Sequence, residues 1–113
     1  MRLSSEFWVS AYLRQCQTNG DFAALSKRGA SHGGAVFIVI NRLDGTNDLY
    51  GTAPQSFIDE EHDVNDRVFY KLLSAATQED LEAQLSKEQR FDPDLWVLER
   101  ESRTGEHGLN VVS

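Results

Sequence analysis

The segment AVFIVINRLDGTNDLYG, residues 35–51, predicts the centre of a β-sheet and the hairpin that follows it. Its first nine residues, AVFIVINRL, are rich in β-branched side chains and begin with a continuous apolar run. That pattern is typical of a strand covered on both faces. Asp44 and Gly45 accept the positive φ angles that a type I′ turn requires. We therefore expect the chain to reverse there and to return as a short strand over residues 48–51.

Helical periodicity predicts a first helix over residues 5–18. Ser5 can act as its N-cap, and Asn19 with Gly20 is typical of a helix C-terminus. The apolar side chains repeat at the spacing of one helical face: Trp8, Val9, Tyr12, Leu13 and Cys16.

A second helix is predicted to open at Thr77, where Asp80 completes a weak capping box, and to end at Pro93. Leu81 and Leu85 form its apolar stripe. Further strands are expected over residues 22–28, 67–73 and 95–101, with a polar connection over residues 52–66.

This order of elements favours an antiparallel meander, because successive strands are joined by short links. We expect a two-layer α+β fold: a mainly antiparallel sheet of four to five strands, with two helices covering one face. Residues 1–101 should form a single globular domain. The polar tail, residues 102–113, either frays or adds an edge strand through LNVV.

Charge and composition argue against two classes of partner. The 113 residues carry a net charge of −7, and residues 54–113 hold fourteen Asp/Glu against six Lys/Arg. Proteins that bind phosphate backbones need clustered positive charge, so neither nucleic acid nor an anionic membrane is an expected partner.

No apolar run approaches the roughly 20 residues of a membrane span. With a single cysteine, Cys16, the chain is expected to be cytoplasmic.

Arg42 has the most specific placement of the polar residues. It continues the alternation of Val36, Ile38 and Ile40, and therefore lies on one face at the end of the strongest strand. The simpler interpretation is a structural ion pair, with Glu99 on the last strand as the predicted partner.

The alternative interpretation of Arg42 is a ligand site. A guanidinium binds carboxylate or phosphate groups through two parallel hydrogen bonds. Asn41, Asp44 and Asp92 are the nearby polar groups that could complete such a site. On this interpretation, Arg42, Asn41, Asp44 and Asp92 are the candidate ligand-binding residues.

Other motifs fit known sites poorly. DGTND lacks the ligand spacing of an EF-hand loop, and the three histidines provide no zinc pair. GASHGG, residues 29–34, leads into a strand and lacks the ending of a phosphate loop. DEEHDVND, residues 59–66, is acidic but shows no ligand spacing. We therefore predict no catalytic residue, no metal and no cofactor, and an inert buried thiol at Cys16.

Three motifs resemble a known family. SEFWVSAYLRQC, NRLDGTNDLYGTAP and RFDPDLWVLE occur in this order across residues 2–101. Together they resemble a small bacterial domain-of-unknown-function family, number 1491. The resemblance implies a single-domain, cytosolic bacterial protein. It supplies no catalytic residue that could be assigned to this chain, and the tail beyond Glu101 lies outside the resemblance.

These observations lead to a non-catalytic protein-interaction or self-association module as the expected function. Open sheet edges would provide its interaction surface, with a protein partner or a second copy of the chain as the expected occupant. The alternative is a small-molecule or anion-binding enzyme with a polar site near Arg42. Nucleic-acid binding is the least favoured function because of the net negative charge.

Overall fold

The computed structural model describes residues 4–53 and 67–112. These residues form two α-helices and a six-stranded sheet. The elements in chain order are α1 (Ser5–Thr18), β1 (Ala23–Lys27), β2 (Val36–Asn41), β3 (Asn47–Thr52), β4 (Val68–Ala76), α2 (Gln78–Phe91), β5 (Trp96–Glu101) and β6 (Asn110–Val111). The acidic segment 59–66, and nearly all of the connection predicted around it, lie outside the described residues.

The α+β class is confirmed, but the sheet is mixed rather than a simple meander. Its strand order is β1-β5-β2-β3-β4-β6. Strands β2, β3 and β4 form the predicted antiparallel run, whereas β5 is parallel to β2 and β6 is parallel to β4. The meander breaks because α2 carries the chain back across the sheet, so that β5 enters between β1 and β2.

The two helices lie on opposite faces of the sheet, which corrects the predicted two-layer arrangement. On one face, Val9, Tyr12 and Cys16 of α1 pack in a single cluster with the even-numbered side chains of β2. On the other face, Leu81 of α2 packs with the odd-numbered side chains of β2. The continuous apolar run of β2 is explained by this cover, because both of its faces are buried.

The bounds of α1 match those predicted, but its cap is Ser4 rather than Ser5. The Ser4 hydroxyl accepts a hydrogen bond from the Phe7 amide. At the other end, Gly20 has a φ of 81°. The Gly20 amide donates to the Gln17 carbonyl, and the Asp21 amide donates to that of Cys16. These two hydrogen bonds form a Schellman motif, which ends α1 and directs the chain into β1.

The hairpin between β2 and β3 occurs where predicted, but its turn is longer. The last paired residues are Asn41 and Asn47, so residues 42–46 form the loop. Positive φ angles occur at Leu43 and Gly45, not at Asp44. The loop is therefore not the two-residue type I′ turn that Asp44 and Gly45 predicted.

Gly29 and Gly34 of GASHGG allow this loop to pack closely against the backbone of Asp94. A Cβ atom on Gly29 or Gly34 would collide with the carbonyl oxygen of Asp94. The same carbonyl accepts a hydrogen bond from the Ala30 amide, and the indole Nε1 of Trp96 donates to the Ala30 carbonyl. These hydrogen bonds hold the loop against the start of β5.

Within the described ranges, neither helix is long and apolar enough to cross a membrane.

Candidate functional site

Arg42 forms an ion pair at the end of the β2–β3 hairpin, and its partner is Asp48 rather than Glu99. The Arg42 Nη1 atom lies 3.0 Å from Oδ2 of Asp48. The prediction of Glu99 was wrong because it ignored the sheet register. Ile40 pairs with Asp48 and Arg100, whereas Glu99 pairs with Val39 and therefore points to the opposite face from Arg42.

The carboxylate of Asp48 is buried and bonded at both oxygens. Only 1% of the residue is exposed. Oδ1 accepts a 2.8 Å hydrogen bond from the Ala75 amide and lies 3.9 Å from the Lys71 Nζ atom. Arg42 also donates from Nε to the Arg103 carbonyl, and its guanidinium lies against Gly105. This geometry gives Arg42 a structural role in joining the hairpin to the C-terminal segment.

Asn41 and Asp44 shape the hairpin loop. The Asn41 side-chain oxygen accepts a hydrogen bond from the Leu43 amide at 2.9 Å. Asp44 Oδ1 accepts from the Thr46 hydroxyl at 2.6 Å and from the Thr46 amide at 2.9 Å. These two bonds, the hydroxyl first, lower the pKa of the exposed Asp44 carboxyl. Both side chains are therefore used locally, as turn-forming residues commonly are.

Asp92 lies at the other end of β2. Its Oδ2 accepts a 2.8 Å hydrogen bond from the Ala35 amide, and its Oδ1 accepts one from the Asp94 amide. Ala35 immediately precedes β2, whereas Arg42 immediately follows it. The length of the strand, about 20 Å, therefore separates Asp92 from Arg42. The fold brings Asn41, Asp44 and Arg42 together but not Asp92.

A second buried polar cluster was not predicted from the sequence. Arg100 of β5 is only 1% exposed. Its Nε atom donates to Asp21 Oδ2 at 3.1 Å, and its Nη1 donates to the Tyr12 hydroxyl at 3.4 Å. Tyr12 in turn donates to the His107 carbonyl at 2.6 Å. The alternation of Trp96, Leu98 and Arg100 along β5 could have placed this guanidinium on the α1 face, but not its partners.

Burial affects the ionisation of two side chains of α1. It raises the pKa of Tyr12 and also that of the Cys16 thiol. Cys16 is fully buried within the apolar cluster under α1, as its position on the helix predicted. A thiol in this setting is a weak nucleophile, because the thiolate form is suppressed.

A cavity of about 400 Å³ lies at the start of α1. The Arg67 Nη2 atom donates to the Ser5 hydroxyl at 3.1 Å, and that hydroxyl donates to the Gly34 carbonyl. The lining residues are Ser5, His32, Gly33, Gly34, Ala35, Thr52 and Arg67. Sequence reasoning missed this site because its residues come from four separate parts of the chain. Within residues 4–53 and 67–112, no group of three or more His, Cys, Asp or Glu side chains could hold a metal ion.

The outer side of β1 is an open sheet edge among the described residues. Among the strands of the described ranges, β1 is terminal and pairs only with β5. The Glu101 amide donates to the Phe22 carbonyl, so Phe22 and, by alternation, Ala24 direct their backbone groups towards β5. The amide and carbonyl groups of Ala23 and Leu25 therefore point outwards.

This edge lacks most features that block strand pairing. Charged side chains, prolines and bulges normally protect exposed edges. Residues 22–26, FAALS, contain neither charge nor proline, and the β1 bulge occurs only between Leu25 and Lys27. Phe22 is 60% exposed and Leu25 is 37% exposed. The edge thus presents both free backbone groups and apolar side chains.

The same fold is found in proteins of known structure. The solution structure of protein Atu0922 from A. tumefaciens has a TM-score of 0.84 and 43% identity, and the match covers 100% of this chain and 97% of that protein. The crystal structure of a DUF1491 family protein from Caulobacter crescentus CB15 has a TM-score of 0.77 and 31% identity, with full coverage of both chains. An NMR structure of a DUF1491 family protein from the same organism has a TM-score of 0.76 and 31% identity, covering 100% of this chain and 99% of that one.

The family assignment rests on a sequence match as well as on the fold. No curated protein matches the chain at significant similarity. The model of the family described as "Protein of unknown function (DUF1491)" matches residues 3–110. This range includes the segment after Glu101 that lay outside the three motifs. The resemblance seen in those motifs is confirmed, and the chain belongs to the DUF1491 family.

Proposed function

We propose that this protein is a non-catalytic protein-interaction module, and that it binds by adding an extended strand to the open edge of β1. The observation that carries the proposal is the outward direction of the Ala23 and Leu25 backbone groups, on a terminal strand whose outer side is unpaired among the described residues. Strand addition uses such groups for affinity and the neighbouring side chains for specificity. Phe22 and Leu25, both exposed, would supply the apolar contacts.

The second candidate function, anion or small-molecule binding near Arg42, has less support. Arg42 already donates to Asp48 and to the Arg103 carbonyl. Asn41 and Asp44 bond within their own loop, and Asp92 bonds at the far end of β2. A ligand would have to displace these contacts. A titration with inorganic phosphate, followed by NMR, would support this function if the Arg42 and Thr46 amides shifted with saturation.

Substitutions at β1 test the proposed function. Ala23→Pro removes an amide that points outwards and is not used in pairing with β5, so the fold should survive. Leu25→Lys adds a charge to the edge. Val111→Lys is the matched control, because Val111 is 39% exposed, close to the 37% of Leu25, and lies on β6 at the opposite edge.

The experiment compares proteins captured from a bacterial lysate by the parent and by each variant. A specific partner should bind the parent and Val111→Lys, and be lost from Ala23→Pro and Leu25→Lys. In the complex, hydrogen exchange at the amides of Ala23 and Leu25 should slow. Equal capture by all four proteins, or unchanged exchange at these amides, would contradict the proposal.

A further inference from the structure

We infer that the strand added to β1 is the β1 strand of a second copy of this chain, antiparallel, with Ala24 on the two-fold axis. This inference rests on the proposed function, and it specifies the partner and the register. It follows from the direction of the backbone groups and the sizes of the edge side chains.

The backbone groups fix which residues can pair. In an antiparallel ladder, residues that exchange two hydrogen bonds must both direct their backbone groups towards the partner strand. On the outer side of β1, these residues are Ala23 and Leu25. With Ala24 on the axis, Ala23 of each copy pairs with Leu25 of the other. Every outward group in the regular part of the strand is then used.

Side-chain sizes fit the same register. Ala24 faces Ala24 of the second copy, so the closest side chains across the axis are two methyl groups. Leu25 lies opposite an alanine, and the exposed Phe22 lies opposite Ser26. Large residues therefore meet small ones, as close packing requires. Moving the axis to Leu25 would instead place two leucines directly opposite one another.

The two charged residues that flank the edge are bonded within their own chain. Asp21 Oδ2 accepts a hydrogen bond from Arg100, and Lys27 donates to the Pro93 and Leu95 carbonyls. Neither charge is therefore left without a bonding partner at the outer side of β1, where repulsion between like charges of the two copies would disfavour pairing.

The length of the edge sets the strength of the dimer. The bulge between Leu25 and Lys27 limits regular pairing to a short segment. Stable dimers bury far more surface than one short strand pair provides. We therefore expect the dimer to form reversibly, with a population that rises with protein concentration.

A cysteine scan tests the register. Residues that face each other in a non-hydrogen-bonded pair have Cα atoms about 4.5 Å apart, which is within disulfide range. Under a mild oxidant, Ala24→Cys should form a covalent dimer faster than Ala23→Cys, Leu25→Cys or Ser26→Cys. The parent protein is the control for Cys16, which is fully buried and should not cross-link. Fastest cross-linking at any position other than residue 24 would overturn this register.

Sedimentation equilibrium tests the dimer itself. The apparent mass of the parent should rise from 12.7 kDa towards twice that value as concentration increases. Val111→Lys should behave like the parent, whereas Ala23→Pro and Leu25→Lys should remain monomeric. Circular dichroism would verify that each variant is folded.

The outcomes separate this inference from the proposed function. A parent protein that stays monomeric at every concentration overturns the self-pairing inference. The proposed function still stands in that case if a captured partner is lost from Ala23→Pro. A dimer that Leu25→Lys leaves intact but Val111→Lys abolishes would place the interface on β6, and would overturn both.

Discussion

Arg42 and Asp48 face each other across the end of the β2–β3 hairpin, with Nη1 and Oδ2 3.0 Å apart. Asp48 is almost inaccessible to solvent, while the side chain of Arg42 is 30% exposed. A buried carboxylate is tolerated when hydrogen bonds and an opposite charge replace its hydration. The hairpin therefore depends on Arg42, which follows β2, to neutralise the buried charge of Asp48 on β3.

Removing the guanidinium should destabilise the protein. Arg42→Ala leaves the Asp48 carboxylate with the Ala75 amide and the more distant Lys71 ammonium. We expect the free energy of unfolding to fall by about 2–3 kcal/mol, since a buried charge that loses its nearer partner costs far more than an exposed one. Urea unfolding followed by circular dichroism would measure the change.

The matched control is the exposed pair formed by Arg28 and Glu6, whose side chains are 60% and 44% exposed. Arg28→Ala should change stability by less than about 1 kcal/mol, because solvent screens exposed ion pairs. Equal effects of Arg28→Ala and Arg42→Ala would contradict the assigned role of Arg42.

Local features were predictable from the sequence, and long-range ones were not. The bounds of α1 follow from periodicity and from Asn19-Gly20, and the hairpin follows from a strong strand ending in turn residues. The insertion of β5 between β1 and β2 depends on contacts far apart in the chain. Because the pairing of β5 with β2 does not follow from the sequence, the face on which Glu99 lies could not be assigned, and its predicted pairing with Arg42 was wrong. For the same reason, the contacts of Arg100 with Asp21 and Tyr12 were not foreseen.

The positive φ of Gly20 should make this glycine costly to replace. Gly20→Ala meets no neighbouring atom within 4 Å, so any loss of stability comes from the backbone conformation at φ 81°. We expect a loss of about 1–2 kcal/mol in the free energy of unfolding. Gly33→Ala is the control, since it too has open space but no left-handed φ. It should be neutral or stabilise by up to about 1 kcal/mol. Thermal unfolding of the two variants would measure both changes in stability. Equal unfolding midpoints would contradict the role of the positive φ at Gly20.

The thiol of Cys16 should react only when the protein opens. It is fully buried, and burial raises its pKa, so both access and thiolate content are low in the native state. Labelling with a chromogenic disulfide reagent should therefore be slow in buffer and fast in denaturant. Ser26→Cys provides an exposed comparison on β1, and its added thiol should label rapidly. Rapid labelling of Cys16 in the folded parent would contradict the packing of α1 on the sheet.

His107 should make stability depend on pH below neutrality. Its Nδ1 atom accepts a 3.0 Å hydrogen bond from the Leu109 amide, and its ring packs on Tyr50. Burial, followed by the charges of Arg100 and Lys71, lowers its pKa from the usual 6.5, while Asp48 and Glu106 oppose the shift. The neutral ring therefore fastens the C-terminal segment to the α1 face.

The direction of the pH effect follows from this lowered pKa. Above pH 6.5 the contribution of His107 is fully present, because the ring is neutral in both the folded and the unfolded protein. As pH falls below 6.5, the unfolded chain binds a proton before the folded one, and stability falls until the folded pKa has been passed. The slope cannot exceed about 1.4 kcal/mol per pH unit for one proton.

Urea unfolding of the parent and of two histidine variants across this pH range would test the effect. His107→Gln should lose the pH dependence just below 6.5, although it should also be less stable at neutral pH. His32→Gln should retain the dependence, because His32 is exposed in the loop between β1 and β2. A parent protein whose stability is flat between the two pKa values, or a His32→Gln variant that abolishes the slope, would contradict the role of His107. If the slope is lost only in His107→Gln, the C-terminal segment is held by a neutral imidazole, and acidification weakens its attachment to α1.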